Sequence, residues 1–149
     1  MIKRTYEELE PYFPAGHFGV TCKRYHGKDE TGAQKFWIGV SEFEPDGGAD
    51  WAYDDNPLEK VYFVLEGEMT VTDKDGNKYV IHKNESISFP PNEGRGLKNE
   101  SGKPAKMLVI INYPWCDLFC SQPDPDSERH QRRPELQGHP EDDRCRCDH

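Results

Sequence analysis

Short apolar runs recur along residues 20–112 at a spacing that fits β-strands. VTCKRY (20–25), QKFWIGVSEF (34–43), KVYFVL (60–65), MTVT (69–72), KYVI (78–81), SISF (86–89) and KMLVIIN (106–112) are rich in β-branched and aromatic residues. Such residues suit a pleated, half-buried surface. FEPDGG, DKDGN, PPNEG and NESGKP fall between them, and turn signals at that interval predict an antiparallel sandwich or barrel. DKDGN reads as a hairpin turn between MTVT and KYVI, with Gly76 and Asn77 suited to positive φ. TYEELEPYF (5–13) alone predicts a short helical turn, which Pro11 and Pro14 limit. The expected class is all-β with a short N-terminal helical turn.

The pattern stops near Pro114. Residues 121–149, SQPDPDSERHQRRPELQGHPEDDRCRCDH, hold only Leu136, Cys145 and Cys147 as apolar positions. A segment so polar cannot offset its ordering entropy by burial and is expected to order only where something ties it down. Two regions follow: a β-barrel domain over 1–114 and a polar tail with cysteines over 115–149.

Composition narrows the partners and the compartment. A chain of 149 residues is one domain in length, and its formal charge of −9 argues against nucleic acid or an anionic membrane, both of which demand clustered cations. No apolar run approaches the ~20 residues that cross a bilayer as a helix. MIKRTYEELEPYF lacks the apolar stretch of a secretory signal, so the expected location is cytoplasmic. In that reducing setting the five cysteines are expected as thiols or metal ligands rather than disulfides.

Residues 34–113 resemble the cupin superfamily, whose two motifs read G-x5-H-x-H-x3–4-E-x6-G and G-x5-P-x-G-x2-H-x3-N. The first is matched in spacing by Gly47, Tyr53, Asp55, Lys60 and Gly67, and equally by Gly48, Asp54, Asn56, Lys60 and Gly67. The second is matched by Asn84, Pro90, Asn92, Arg95 and Asn99. The resemblance implies a small jelly-roll β-barrel, a homodimer as in many cupins, and a pocket at the motif centre. In the family three histidines and a glutamate hold a metal there. Here lysine stands for the glutamate, arginine for the second-motif histidine, and Tyr53 with Asp55, or Asp54 with Asn56, for the paired histidines. Imidazoles and a carboxylate are what such a metal needs, and two cations in their place would repel it. No metal is expected at the usual cupin centre.

Strand alternation places the side chains that share this pocket. With Lys60 inward, Tyr62 and Val64 also face inward, while Val61, Phe63 and Leu65 face the other side. Ile87 and Phe89 are expected to line the barrel near Arg95, with Trp51 and Tyr53 at its mouth. Mostly apolar walls with a few polar groups make a small-molecule pocket. A buried Lys60–Arg95 pair favours a small anionic metabolite, gripped by Arg95. A desolvated Lys60 beside another cation would have a lowered pKa, suiting it as base or amine; Tyr53 or Asp55 would serve as proton partner. The competing account has Lys60 paired with Asp54, Asp55 or Glu93, and Arg95 with another carboxylate, as structural ion pairs. His17, His26 and His82 are scattered and read as surface residues.

WCDLFC (115–120) and CRCDH (145–149) form a second feature. Cys116 and Cys120 share a face on a helical turn; Cys145, Cys147 and His149 share one on an extended segment. Together they suffice for a structural zinc with four thiolates, or with three and one imidazole, which would order the tail on binding. Redox-active or disulfide-forming thiols and idle cysteines are the alternatives. Cys22 reads as a small core residue. Three functions remain open on the sequence: a metal-independent isomerase, lyase or decarboxylase acting on an anionic metabolite; a cupin that senses a ligand without turning it over; and an interaction protein built on a zinc-tied tail.

Overall fold

The computed structural model describes residues 1–113. In chain order these form strands β1 (Pro11–Tyr12) and β2 (His17–His26), a single helical turn α1 (Lys28–Thr31), then β3 (Phe36–Ala52), β4 (Lys60–Glu66), β5 (Glu68–Thr72), β6 (Lys78–His82), β7 (Ser86–Phe89), β8 (Arg95–Lys98) and β9 (Ala105–Asn112). All pairings are antiparallel. The sheet runs β6-β5-β8-β3-β9-β4-β7, with β2 on the other edge of β3 and β1 beyond it. It curls into a nearly closed barrel, as the sequence pattern predicts. No helix among the described residues is long and apolar enough to cross a membrane.

Alternation builds the core. Along β4, Lys60, Tyr62 and Val64 are buried while Val61, Phe63 and Leu65 are only partly covered. Met107, Val109 and Ile111 of β9 meet Val64, Tyr62 and Lys60 in register. Val71, Leu97, Phe43 and Phe89 close the same cluster from the other strands. Each such aliphatic or aromatic side chain contributes about 1.5–3 kcal/mol by leaving water, so the barrel interior around Lys60 and Tyr62 is fixed by packing.

The expected short helical turn forms, whereas the corner expected at FEPDGG does not. The helical turn is confined to a 3₁₀ turn at Tyr6–Glu8, where the Glu8 carboxylate accepts the Thr5 N–H at 3.2 Å. Pro11 and Tyr12 go on as β1, paired with Lys23 and Cys22. FEPDGG does not reverse the chain; β3 continues through it, because its turn residues make an irregularity rather than a corner. Asp46 takes φ 64°, and Asn99, wholly buried, holds the passage by donating from Nδ2 to the Glu44 and Lys103 carbonyls at 3.0 and 2.6 Å. β3 thereby leaves β9 and joins β8, while β2 stays paired along its other edge as far as Ala49. β8 itself, RGLK, is too short and polar to stand out as a strand, yet its Arg95 and Leu97 point inward and are buried.

The second-motif asparagines have a backbone reason. Asn84 and Asn92, standing where the motif has glycine, adopt φ 69° and 61°, a left-handed region that asparagine tolerates better than most side chains. Gly67, at φ +72° between β4 and β5, has no room for more: a Cβ would lie 2.8 Å from the Pro104 carbonyl oxygen.

Candidate functional site

Four side chains meet at one end of the barrel interior. Lys60 opens β4 and Arg95 opens β8; they are 1% and 2% exposed. Tyr62, one inward step along β4, is 3% exposed and packs against Phe89 with ring centroids 4.9 Å apart. Tyr53, from the segment between β3 and β4, lays its ring over both cations, 4.3 Å from Lys60 Nζ and 4.5 Å from Arg95 Cζ.

The hydrogen bonds leave a surplus of donors. Arg95 Nε donates to the Tyr62 hydroxyl oxygen at 2.9 Å, and Nη2 donates to the same oxygen. That oxygen accepts two charge-assisted bonds, so the phenolic proton is left for a further acceptor. Arg95 Nη1 is buried with no partner. Lys60 Nζ donates to the Leu58 carbonyl at 3.0 Å, which uses one of its three protons. Among the described residues no carboxylate stands within ion-pair distance of either cation, so the structural ion pairs considered from sequence do not form there.

Electrostatics follow from that arrangement. Burial, then the like charge of Arg95, lowers the Lys60 pKa from 10.5 to about 8. Burial pushes the Tyr62 hydroxyl above its ordinary value despite the opposing pull of Arg95, so it stays a protonated donor at neutral pH. The centre thus offers cationic and hydroxyl donors in a low-dielectric setting, where each counts for more than in water.

The other sequence-selected residues are placed around it. Ile87 is partly buried against the core beside Phe89, opposite Tyr62 on β7. Trp51 is 44% exposed; its ring lies over Gly94, with Cζ2 2.5 Å from where a Cβ would be, and its Nε1 donates to Asp54 Oδ2 at 3.1 Å. Of the first-motif candidates the structure brings Tyr53 to the cations, whereas Asp54, from the other alignment, and Asp55 are exposed and form no ion pair with them. Cys116, Cys120, Cys145, Cys147 and His149 lie outside the described residues. Cys22 is buried, with Sγ 3.4 Å from Ser41 Oγ.

Two features had no clear mark in the sequence. Tyr62 reads there as a wall residue, and its bond to Arg95 depends on two side chains meeting across the barrel. The Leu58 carbonyl is a main-chain acceptor that any residue would provide. Asn99 did carry a signal, as the last position of the second motif. It works through the Glu44 and Lys103 carbonyls rather than in the pocket.

A metal of the family type does not fit this donor set. Two buried cations and a tyrosine ring occupy the motif centre, and among the described residues no group of three His, Cys, Asp or Glu side chains converges as a metal site would require.

Comparison with known proteins agrees with the fold. The chain is 32% identical over 107 residues to a beta-D-galactosidase from Mycobacterium tuberculosis, covering 72% of this chain and 90% of that protein. Among solved structures, the polyketide cyclase RemF from Streptomyces resistomycificus superposes with a TM-score of 0.66 at 23% identity, covering 75% of this chain and 80% of the cyclase. A sugar phosphate isomerase from Silicibacter pomeroyi superposes with a TM-score of 0.62 at 19% identity, covering 76% of each chain. Residues 39–111 match the Cupin domain family. By its motifs, its barrel and these matches, the chain belongs to the cupin superfamily.

Proposed function

We propose that the protein binds a small anionic metabolite at the Lys60–Arg95 centre and transforms it by acid–base chemistry without a barrel metal. The observation that carries this reading is the donor surplus: a buried guanidinium nitrogen with no partner, beside a buried ammonium with no carboxylate. Buried donors left unpaired cost about 1–3 kcal/mol each, more when charged, and an oxyanion would satisfy them together. Arg95 Nη1 would take a carboxylate or enolate oxygen, with the Tyr62 O–H as second donor. Lys60, with its pKa lowered to about 8, carries a usable fraction of neutral amine near neutral pH. Its Nζ would remove a proton from the carbon next to the bound carboxylate and return it, directly or through the Tyr53 hydroxyl, to a neighbouring carbon in an isomerisation or to the group expelled from that carbon's neighbour in an elimination. In a decarboxylation its ammonium form would instead protonate the carbanion left as carbon dioxide departs. Isomerase, lyase or decarboxylase chemistry meets this description.

The Lys60→Met variant tests the reading. It should keep its fold and lose turnover at least 100-fold, in line with removal of a general base. An anion that raises the melting temperature of the wild type with no product formed would instead favour a sensing role. The Mycobacterium tuberculosis relative favours a second reading, hydrolysis of a β-galactoside. Glycosidases of the usual kind work with two carboxylates flanking the scissile bond, and the carboxylates nearest Tyr53 in sequence, Asp54 and Asp55, are exposed at the surface. Galactoside hydrolysis that survives Lys60→Met and falls on removal of Asp54 or Asp55 would establish that reading and displace the first.

A further inference from the structure

The Tyr53 ring gives the shape of what the centre accepts. Tyrosine rarely adopts positive φ, and Tyr53 is held at 73°, a conformation that persists only where the surroundings impose it. Its main chain is tied down on the following side. Asn56 N–H donates to the Tyr53 carbonyl at 3.4 Å, and Asn92 N–H donates to the Asn56 carbonyl at 2.8 Å. Asp54 is pinned by the Trp51 indole. The ring itself is half-buried and is held at the centre by the two cations it faces, 4.3 and 4.5 Å away. A rotation about χ1 would release it without moving the tethered backbone.

We propose that Tyr53 is a placeholder for a planar, conjugated or aromatic carboxylate, which displaces its ring from the slot between Lys60 and Arg95. The inference rests on the anion-binding reading and names the class of anion. The slot accommodates a six-membered π system, since one occupies it. Both cations address the face of that system, as a cation–π contact requires. In the same cluster Arg95 Nη1 has no acceptor, and the Tyr62 oxygen already accepts twice from Arg95, which leaves its own proton for a further acceptor. A flat ring bearing a carboxylate satisfies both demands, the faces meeting the cations and the oxygens meeting the orphaned donors. A compact inorganic anion satisfies only the second and leaves Tyr53 where it is.

The experiment compares benzoate, cyclohexanecarboxylate and acetate by titration calorimetry against the full-length wild type and Tyr53→Gly, a substitution that suits the positive φ and vacates the slot. Unchanged thermal unfolding shows that the variant is folded. Benzoate should bind Tyr53→Gly about tenfold more tightly than it binds the wild type, because no ring has to leave. In the variant, benzoate should exceed cyclohexanecarboxylate by about thirtyfold, the factor that a desolvated cation–π contact supplies, and acetate should bind weakest. Equal affinity for benzoate and cyclohexanecarboxylate, or equal benzoate affinity in variant and wild type, overturns the placeholder role while leaving the anion site standing. Failure of all three carboxylates and of inorganic phosphate to bind either protein overturns the anion-binding reading itself.

Discussion

Replacing Lys60 by methionine isolates the cost of a buried, unpaired ammonium. Lys60 is 1% exposed, and its pKa falls from 10.5 to about 8, first through burial and then through Arg95. A lowering of that size corresponds to roughly 3 kcal/mol of native-state destabilisation at neutral pH. The native pKa lies below the unfolded one. Below pH 8 both states hold the proton and the whole penalty is present. From pH 8 to 10.5 the native protein sheds a proton that the unfolded chain keeps, so stability rises, and above 10.5 the penalty is gone. Methionine has similar length, fills the same space and does not titrate. Lys60→Met should therefore be more stable than wild type at pH 7, and the gap should close by about 2.5 kcal/mol by pH 10, with a limiting slope of about 1.4 kcal/mol per pH unit. Urea unfolding followed by tryptophan fluorescence at pH 7, 8, 9 and 10 measures both proteins. Taking the difference between them cancels the titration of other groups, to the extent that these are uncoupled from Lys60. A difference flat to within about 0.5 kcal/mol across that range would mean that the amine is not held charged in a dry site, and the acid–base role would fall with it.

Asn99→Ala removes donors to two carbonyls and an acceptor for Ser101 N–H and Oγ; it should cost about 3 kcal/mol in denaturant unfolding. Gly67→Ala meets both a positive φ and the Pro104 carbonyl, and a loss of about 2 kcal/mol should appear as a lowered melting temperature. Asn84 sits at φ 69°, so Asn84→Gly should change stability by less than about 0.5 kcal/mol while Asn84→Ala costs about 1 kcal/mol. Turnover of any substrate that uses Lys60 as base should rise with pH through an apparent pKa near 8, measured as kcat/KM, since the neutral amine is the active form.

How much of this was legible in the sequence depended on range. A strand's period of two is dictated by its own backbone, so KVYFVL alone was enough to set Lys60, Tyr62 and Val64 on one side. The motif spacing brought Arg95 to the same place. What escaped was decided by contacts between distant residues or by single dihedrals. FEPDGG reads as a corner because proline and glycine serve corners and bulges alike; the choice was made by Asn99, whose side chain grips the passage. The spacing allowed Tyr53 or Asp54 at the first ligand position, and a φ of 73° in a segment without periodicity selected Tyr53. Tyr62 acquired its role as acceptor for Arg95 only when β4 and β8 were brought face to face.

The length of β3 has a further consequence for how the chain is made. Its first half lies between β2 and β9, and its pairing with β9 joins Phe36–Phe43 to Ala105–Asn112. β4 also pairs with β9 along most of its length. During synthesis, then, both strands wait with an unpaired edge until β9 has left the ribosome. Such non-local closure makes folding slow and exposes nascent strands to association. A chain halted before residue 105 would be an aggregation-prone fragment, not a partly working barrel.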